Sequence, residues 1–159
     1  MKHHTLNLLS MISKELRIEG HRIVHCHGVY DALTIGHAKH LAAAKRLGDV
    51  LIVTVTADEF VNKGEGRPVF TDEIRCQMLS SLAAVDYVAV NVHSTAIPAI
   101  KAIRPHLFVK GGEYITNLTA ALDAEQEAVE SVGGELVFTD EPEYHTTELI
   151  ERLGVSHCR

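Results

Sequence analysis

The stretch HGVYDALTIGH, residues 27–37, brings Gly28, Asp31, Thr34, Gly36 and His37 to the junction between an apolar run and a helical pattern. Those residue types share one ligand, a phosphate. Gly28 lets the backbone turn sharply or approach a ligand closely. Gly36 removes a side chain at a helix start, where unpaired N–H groups and the helix dipole favour an anion. The Thr34 hydroxyl and an imidazole N–H of His37 can reach the same oxygens. Alone, T-x-G-H also fits a plain helix cap at Thr34 beside a surface histidine, so the other stretches must decide.

Three further stretches carry similar chemistry. TADEFVNKGEGRPVF (56–70) brackets two glycines with Lys63 and Arg67, the make-up of a mobile cationic loop or of a solvated turn. VKGGEY (109–114) sets Lys110, Gly111 and Gly112 at the end of an apolar run. EYHTTELI (143–150) puts Thr146 and Thr147 at a helix start, where hydroxyls cap the helix or bind an anion.

The elements that must position these residues alternate. Strands are predicted at 22–27, 49–55, 86–92, 106–110 and 135–139, rich in Val and Ile with little polar alternation, as in strands buried on both faces. Helices are predicted at 35–47, 72–84, 95–104, 119–132 and 146–153. Ser94 and Thr71 or Asp72 are candidate caps, and Gly48 and Gly133-Gly134 stand where helices stop. Leu6, Leu9, Ile12 and Leu16 recur at helical spacing, so residues 1–20 read as a helix docked on one domain spanning 1–159. The fold class is therefore α/β, a Rossmann-like open parallel sheet of about five strands with helices on both faces. Such sheets bind ligands beyond the carboxyl ends of their strands. All four stretches fall at that edge, and their convergence favours a phosphate site.

A formal charge of −6 speaks against a nucleic-acid partner. No apolar run reaches the length of about 20 residues that spans a bilayer, and the polar MKHHTLNLLSMISKEL start does not fit a secretory signal. Cys26, Cys76 and Cys158 form no C-x-x-C pattern, which suggests reduced thiols and a cytoplasmic protein. The 11 histidines include His25 and His27 on one strand face, but neither H-E-x-x-H nor a cysteine pair completes a zinc site. No G-x-G-x-x-G follows a strand, so a nicotinamide site is not expected.

HGVYDALTIGH resembles the signature G-x-F-D-x-x-[HT]-x-G-H of the cytidylyltransferase-like nucleotidyltransferase superfamily. Within it, the chain is most similar to the nucleotidyltransferase domain of bacterial ADP-heptose synthase, often fused to a sugar kinase. The likeness continues in order through EGHRIVHCHGVYD, LAAAKRLGDVLIVTVTAD, KGEGRPVFTDEIR, LAAVDYVAV, IRPHLFVKGGEY and GGELVFTDEPEYHTTELIERL. It implies that Thr34 stands at the first histidine of the HxGH motif, where adenylyltransferases also use threonine. It implies that His37 stabilises the transition state and that Lys63 contacts phosphates from a mobile loop. Gly28, Val29, Tyr30, Gly36, His37, Lys110, Gly111, Gly112, Thr146 and Thr147 then form the nucleotide-binding set. Asp31, Asp58, Arg67 and Arg75 form the substrate-binding set. His145 stands where the family has serine, and the loop before Arg67 is slightly shorter.

The reaction so implied is attack of a sugar 1-phosphate, heptose-like in size, on the α-phosphorus of a nucleoside triphosphate, with pyrophosphate leaving. Mg²⁺ would ride on the triphosphate, and the family's usual state is a homodimer, here with a separate sugar kinase as possible partner. Glycerol-phosphate and choline-phosphate cytidylyltransferases carry an arginine in an R-T-E-G-I-S-T segment. The corresponding DEPEYHT has Asp140 near that place, which favours ATP over CTP. A CTP-dependent enzyme acting on glycerol 3-phosphate is the alternative. A nucleotide sensor on the same scaffold is the non-enzymatic one, opposed by the presence of both His37 and Lys63.

Overall fold

The computed structural model describes residues 3–116 and 119–140. Their strands form one parallel sheet: β1 (His3–His4), β2 (Ile23–Gly28), β3 (Val50–Thr56), β4 (Tyr87–Asn91), β5 (Leu107–Gly111) and β6 (Glu135–Thr139). The five strands expected from sequence are present within a residue or two of the predicted bounds. The added strand, β1, pairs His3 with Val88 and His4 with Ala89, and two residues are too few to leave a pattern in the sequence.

The helices are α1 (Leu6–Ile18), α2 (Ile35–Lys45), α3 (Asp72–Ser80), α4 (Ile97–Ile103), α5 (Glu113–Thr116) and α6 (Ala120–Ser131). Alternation along β3 shows how the layers form. Leu51, Val53 and Val55 pack with Leu41 and Ala44 of α2 and Cys76 and Leu79 of α3. Val50 and Ile52 face the other way, against Leu9 of α1 and Ala99 and Ile103 of α4. Phe108 of β5 joins Ile100 of α4 and Ala128 and Val129 of α6 on that second face. Helices thus cover both faces, as β-branched strands buried on two sides require.

Several boundaries differ from expectation. Ser94 does not cap α4; its N-cap is Ala96, and Pro98 occupies the first turn, where its missing N–H costs nothing. The helix expected at 72–84 ends at Ser80, and the one at 35–47 ends at Lys45. Thr71 caps α3 through Ile74 N–H. The helix expected at 146–153 lies outside the described residues.

The strand order β1-β4-β3-β2-β5-β6 places the site. The chain runs outward from β2 through β3 to β4, then returns to the other side of β2 with β5. Order therefore reverses between β2 and β5, the kind of switch point at whose carboxyl edge open α/β sheets bind ligands.

Candidate active site

Helix α2 starts at this edge with a reciprocal cap. The Thr34 hydroxyl accepts from His37 N–H at 3.4 Å, and Thr34 N–H donates to His37 Nδ1 at 3.1 Å. The imidazole thus occupies the place that Glu or Gln takes in a capping box. Because Nδ1 accepts, the neutral ring carries its proton on Nε2. Burial, then the charge of Lys63, lower the His37 pKa and keep the ring neutral. The outcome is a fixed Nε2–H donor in the first turn of a helix, with Gly36 beside it.

Tyr30 supports that ring edge-on, with centroids 5.5 Å apart and planes at 70°. It is buried and adopts φ 50°, an uncommon left-handed conformation for tyrosine. A Cβ on Gly28 would lie 3.0 Å from the Tyr30 ring. Gly28 was expected to clear space for a ligand; the space it clears holds Tyr30, which in turn backs His37.

The loop of Lys63 and Arg67 is anchored to the same turn. Asp31 is buried and accepts from Val69 N–H at 2.6 Å, from Phe70 N–H at 3.2 Å and from Arg67 Nε. Arg67 Nη2 is buried without a hydrogen-bond partner. Lys63 is exposed. Desolvation, then the neighbouring Arg67 charge, lower its pKa, and Asp31 partly offsets them. Two like charges thus sit close together, with the Asp31 carboxylate acting on both.

Two assignments to the substrate change here. Arg75 has no exposed surface. Its guanidinium donates to Phe70 O (2.9 Å), Val29 O (2.6 Å), Thr56 O (2.8 Å) and Asp58 Oδ1 (2.6 Å). It ties the loop to the ends of β2 and β3 and so positions the site instead of touching substrate. Asp58, in a short 3₁₀ turn at Asp58–Phe60, is its carboxylate partner. Asp31 likewise engages the loop, through Arg67, Val69 and Phe70.

At the end of β5, Lys110 also departs from expectation. Its ammonium is nearly buried, pairs with Glu125 of α6 at 2.7 Å and lies 4.9 Å from the Tyr114 ring centre. It follows Phe108 on the α6 face of the strand, so alternation turns it from the α2 side of the sheet. Gly112 lies against Thr139, whose carbonyl oxygen would be 2.8 Å from an added Cβ, and a Cβ on Gly111 would strike the Glu113 carboxylate. His40, not singled out from sequence, meets Thr139 Oγ1 at 2.8 Å and joins α2 to the end of β6. Its position one turn after His37 was the available signal. Thr146, Thr147 and His145 lie outside the described residues.

The described residues hold no cluster of three or more His, Cys, Asp or Glu side chains suited to a metal ion. Burial pushes the Cys26 and Cys76 thiols up to about 12, so neither supplies a thiolate near neutrality. No helix among the described residues is long and apolar enough to cross a membrane.

Residues 25–152, which include the whole α2 cap and the Lys63 loop, match the cytidylyltransferase-like family. The chain belongs to that family. This cytidylyltransferase-like chain is 38% identical over 149 residues to the bifunctional protein HldE of Nitratiruptor sp., covering 91% of the chain and 30% of that protein. It is 43% identical over 141 residues to HldE of Methylococcus capsulatus, covering 87% and 29%. The chain thus spans about three tenths of the length of these relatives. The crystal structure of a lipopolysaccharide core biosynthesis protein from Thermoplasma volcanium superposes with a TM-score of 0.65 at 24% identity, over 78% of this chain and all of that one. That likeness supports the Rossmann-like fold, a parallel sheet with helices around it.

Proposed function

We propose that the chain is a nucleotidyltransferase that joins a nucleoside triphosphate, ATP in preference to CTP, to a sugar 1-phosphate of heptose size. The observation that carries this reading is the α2 cap, which fixes a neutral His37 with its Nε2–H free beside Lys63 and the unpartnered Arg67 Nη2. Membership of the cytidylyltransferase-like family and the likeness to HldE support it.

The chemistry needs no protein nucleophile. A phosphate monoester has its second pKa near 6 and is already largely a dianion at neutral pH. Its oxygen forms the new bond to the α-phosphorus, and the bond to the bridging β-phosphate oxygen breaks with its electron pair, so pyrophosphate leaves. The protein holds two polyanions in line and neutralises charge as it builds on the transferring phosphate. His37 Nε2–H and the first N–H groups of α2 face the α-phosphate, while Lys63 and Arg67 reach the β- and γ-phosphates. Mg²⁺ is proposed to arrive on the triphosphate, consistent with its preference for phosphate oxygens. A separate sugar kinase is proposed as the source of the acceptor, from the family resemblance. A homodimer in the cytoplasm is proposed from the family resemblance.

The base preference rests on Thr34 and on Asp140 standing near the arginine of cytidylyltransferases. A matched comparison of kcat/KM for ATP and CTP, with a heptose 1-phosphate and with glycerol 3-phosphate, tests it. A CTP preference of tenfold or more, about 1.4 kcal/mol, would reassign the substrates to a cytidylyltransferase.

A further inference from the structure

A chain of hydrogen bonds crosses β2 and β3 on the sheet face opposite α2. Thr54 Oγ1 lies 2.8 Å from His25 Nε2 and 2.9 Å from His27 Nδ1, and His27 Nε2 lies 3.2 Å from Thr56 Oγ1. His25 is fully buried and its Nδ1 has no partner. Burial, first of all, keeps both rings neutral, with the Lys110 charge adding to it.

Thr54 has one hydroxyl proton, so it donates to one ring and accepts from the other. The two directions differ in what they strand. If His27 donated to Thr54, His25 would keep its only proton on the buried, partnerless Nδ1. If His25 donates instead, Nδ1 is a bare acceptor, and orphaned N–H donors are the rarer of the two in folded interiors. The second direction is therefore favoured. It makes His27 Nε2–H a donor to Thr56 and leaves the Thr56 hydroxyl proton free to donate beyond the strand end.

Beside Thr56 in register on β4 stands Asn91. Its Nδ2 donates to Thr95 O at 2.7 Å and His93 O at 3.2 Å, which fixes the amide orientation. Its Oδ1 is the acceptor end of the amide, buried and without a partner. The ends of β3 and β4 thus offer an O–H donor and an unpartnered acceptor as register neighbours. Phosphate does not match that pair, because it cannot satisfy the Asn91 acceptor. An alcohol does, since one hydroxyl accepts and donates at once.

We propose that Thr56 and Asn91, oriented by the His25–Thr54–His27 chain, form a subsite for a hydroxyl group of the acceptor sugar. The proposal rests on the nucleotidyltransferase reading and adds a division of the site. Phosphates lie against α2 and its cationic loop, and the sugar's hydroxyls are read from the opposite sheet face. His25, Thr54 and His27 act as positioning residues that set the direction of the Thr56 proton.

The test is kinetic, with binding of ATP alone measured separately by calorimetry. Thr56→Val, which keeps shape and removes the hydroxyl, is expected to raise KM for the sugar 1-phosphate at least tenfold. Its Kd for ATP should stay within twofold, and Thr56→Ser should restore KM. Assayed on the wild-type chain, a series of monodeoxy sugar 1-phosphates should contain one member whose KM rises by a similar factor, and Thr56→Val should not distinguish that member from the parent sugar. The subsite is overturned if KM is unmoved in Thr56→Val, if Kd for ATP rises in step with KM, or if no deoxy position matters to the wild type. Absence of wild-type turnover with every sugar 1-phosphate instead overturns the transferase reading, and the subsite with it.

Discussion

Thr34 and His37 cap one another: the threonine hydroxyl accepts from the histidine N–H, and the imidazole Nδ1 accepts from the threonine N–H. One motif therefore does two jobs. It starts α2, and it fixes the tautomer that leaves the imidazole proton on Nε2. The plain cap and the proposed catalytic histidine, which look like rival readings of T-x-G-H, rest on the same hydrogen bonds.

That double role can be separated by His37→Gln. Glutamine can accept from Thr34 N–H in the same capping box, so the melting temperature should stay close to wild type. The imidazole donor is lost, and kcat should fall about 10² to 10³. Paired thermal melts and steady-state kinetics check this; near-normal kcat would remove His37 from the mechanism.

Lys63→Ala should lower kcat by at least the factor by which it raises KM for the triphosphate. An exposed lysine on the loop held by Asp31 engages most fully when charge builds in the transition state. An effect confined to KM would show a lysine that only binds ground-state triphosphate.

Arg75→Met should cost at least about 3 kcal/mol of stability. It leaves three backbone carbonyls, at Phe70, Val29 and Thr56, without their charged donor, at about 1–3 kcal/mol for each buried group. Denaturant midpoints of the variant and wild type measure it. An unchanged midpoint would show that Arg75 is not the tie between loop and strands.

Stability should fall as pH drops below about 6.5, the ordinary histidine value. His25, His27, His37 and His106 all have folded pKa values held below it, chiefly by burial, and for His27 the value is about 3. Between the unfolded and folded values the unfolded chain binds protons that the folded chain does not, so linkage favours unfolding on acidification. For His27 this window runs from about 6.5 down to about 3. His106 Nδ1, accepting from Ile23 N–H at 2.9 Å, loses that bond on protonation. Urea midpoints at pH 7.5 and 5.5 should differ in that direction, and equal midpoints would contradict it.

Strand positions were legible because Val- and Ile-rich runs such as VLIVTVT can be stable only when buried on both faces. The start of α2 was legible because Thr34 and His37 interact at short sequence range. What sequence could not show is where a side chain is drawn by a distant partner. Lys110 ends a strand next to two glycines, as a phosphate lysine would, yet Glu125 on α6 holds it. Arg75 carries a charge that suits a substrate, yet backbone carbonyls from three segments enclose it. Gly28 matches a phosphate-loop glycine, yet the Tyr30 ring fills its space. Residue type and chain position drew attention to these groups; topology decided which of the cations are held by other partners.

Phosphorus NMR of the wild-type chain with ATP, Mg²⁺ and a heptose 1-phosphate tests the central claim most directly. The sugar-phosphate signal is expected to be replaced by that of a diphosphate-bridged nucleotide sugar, with pyrophosphate appearing in a one-to-one ratio to it. The formation of ADP and orthophosphate, or binding with no new phosphorus species for ATP or CTP, would contradict it.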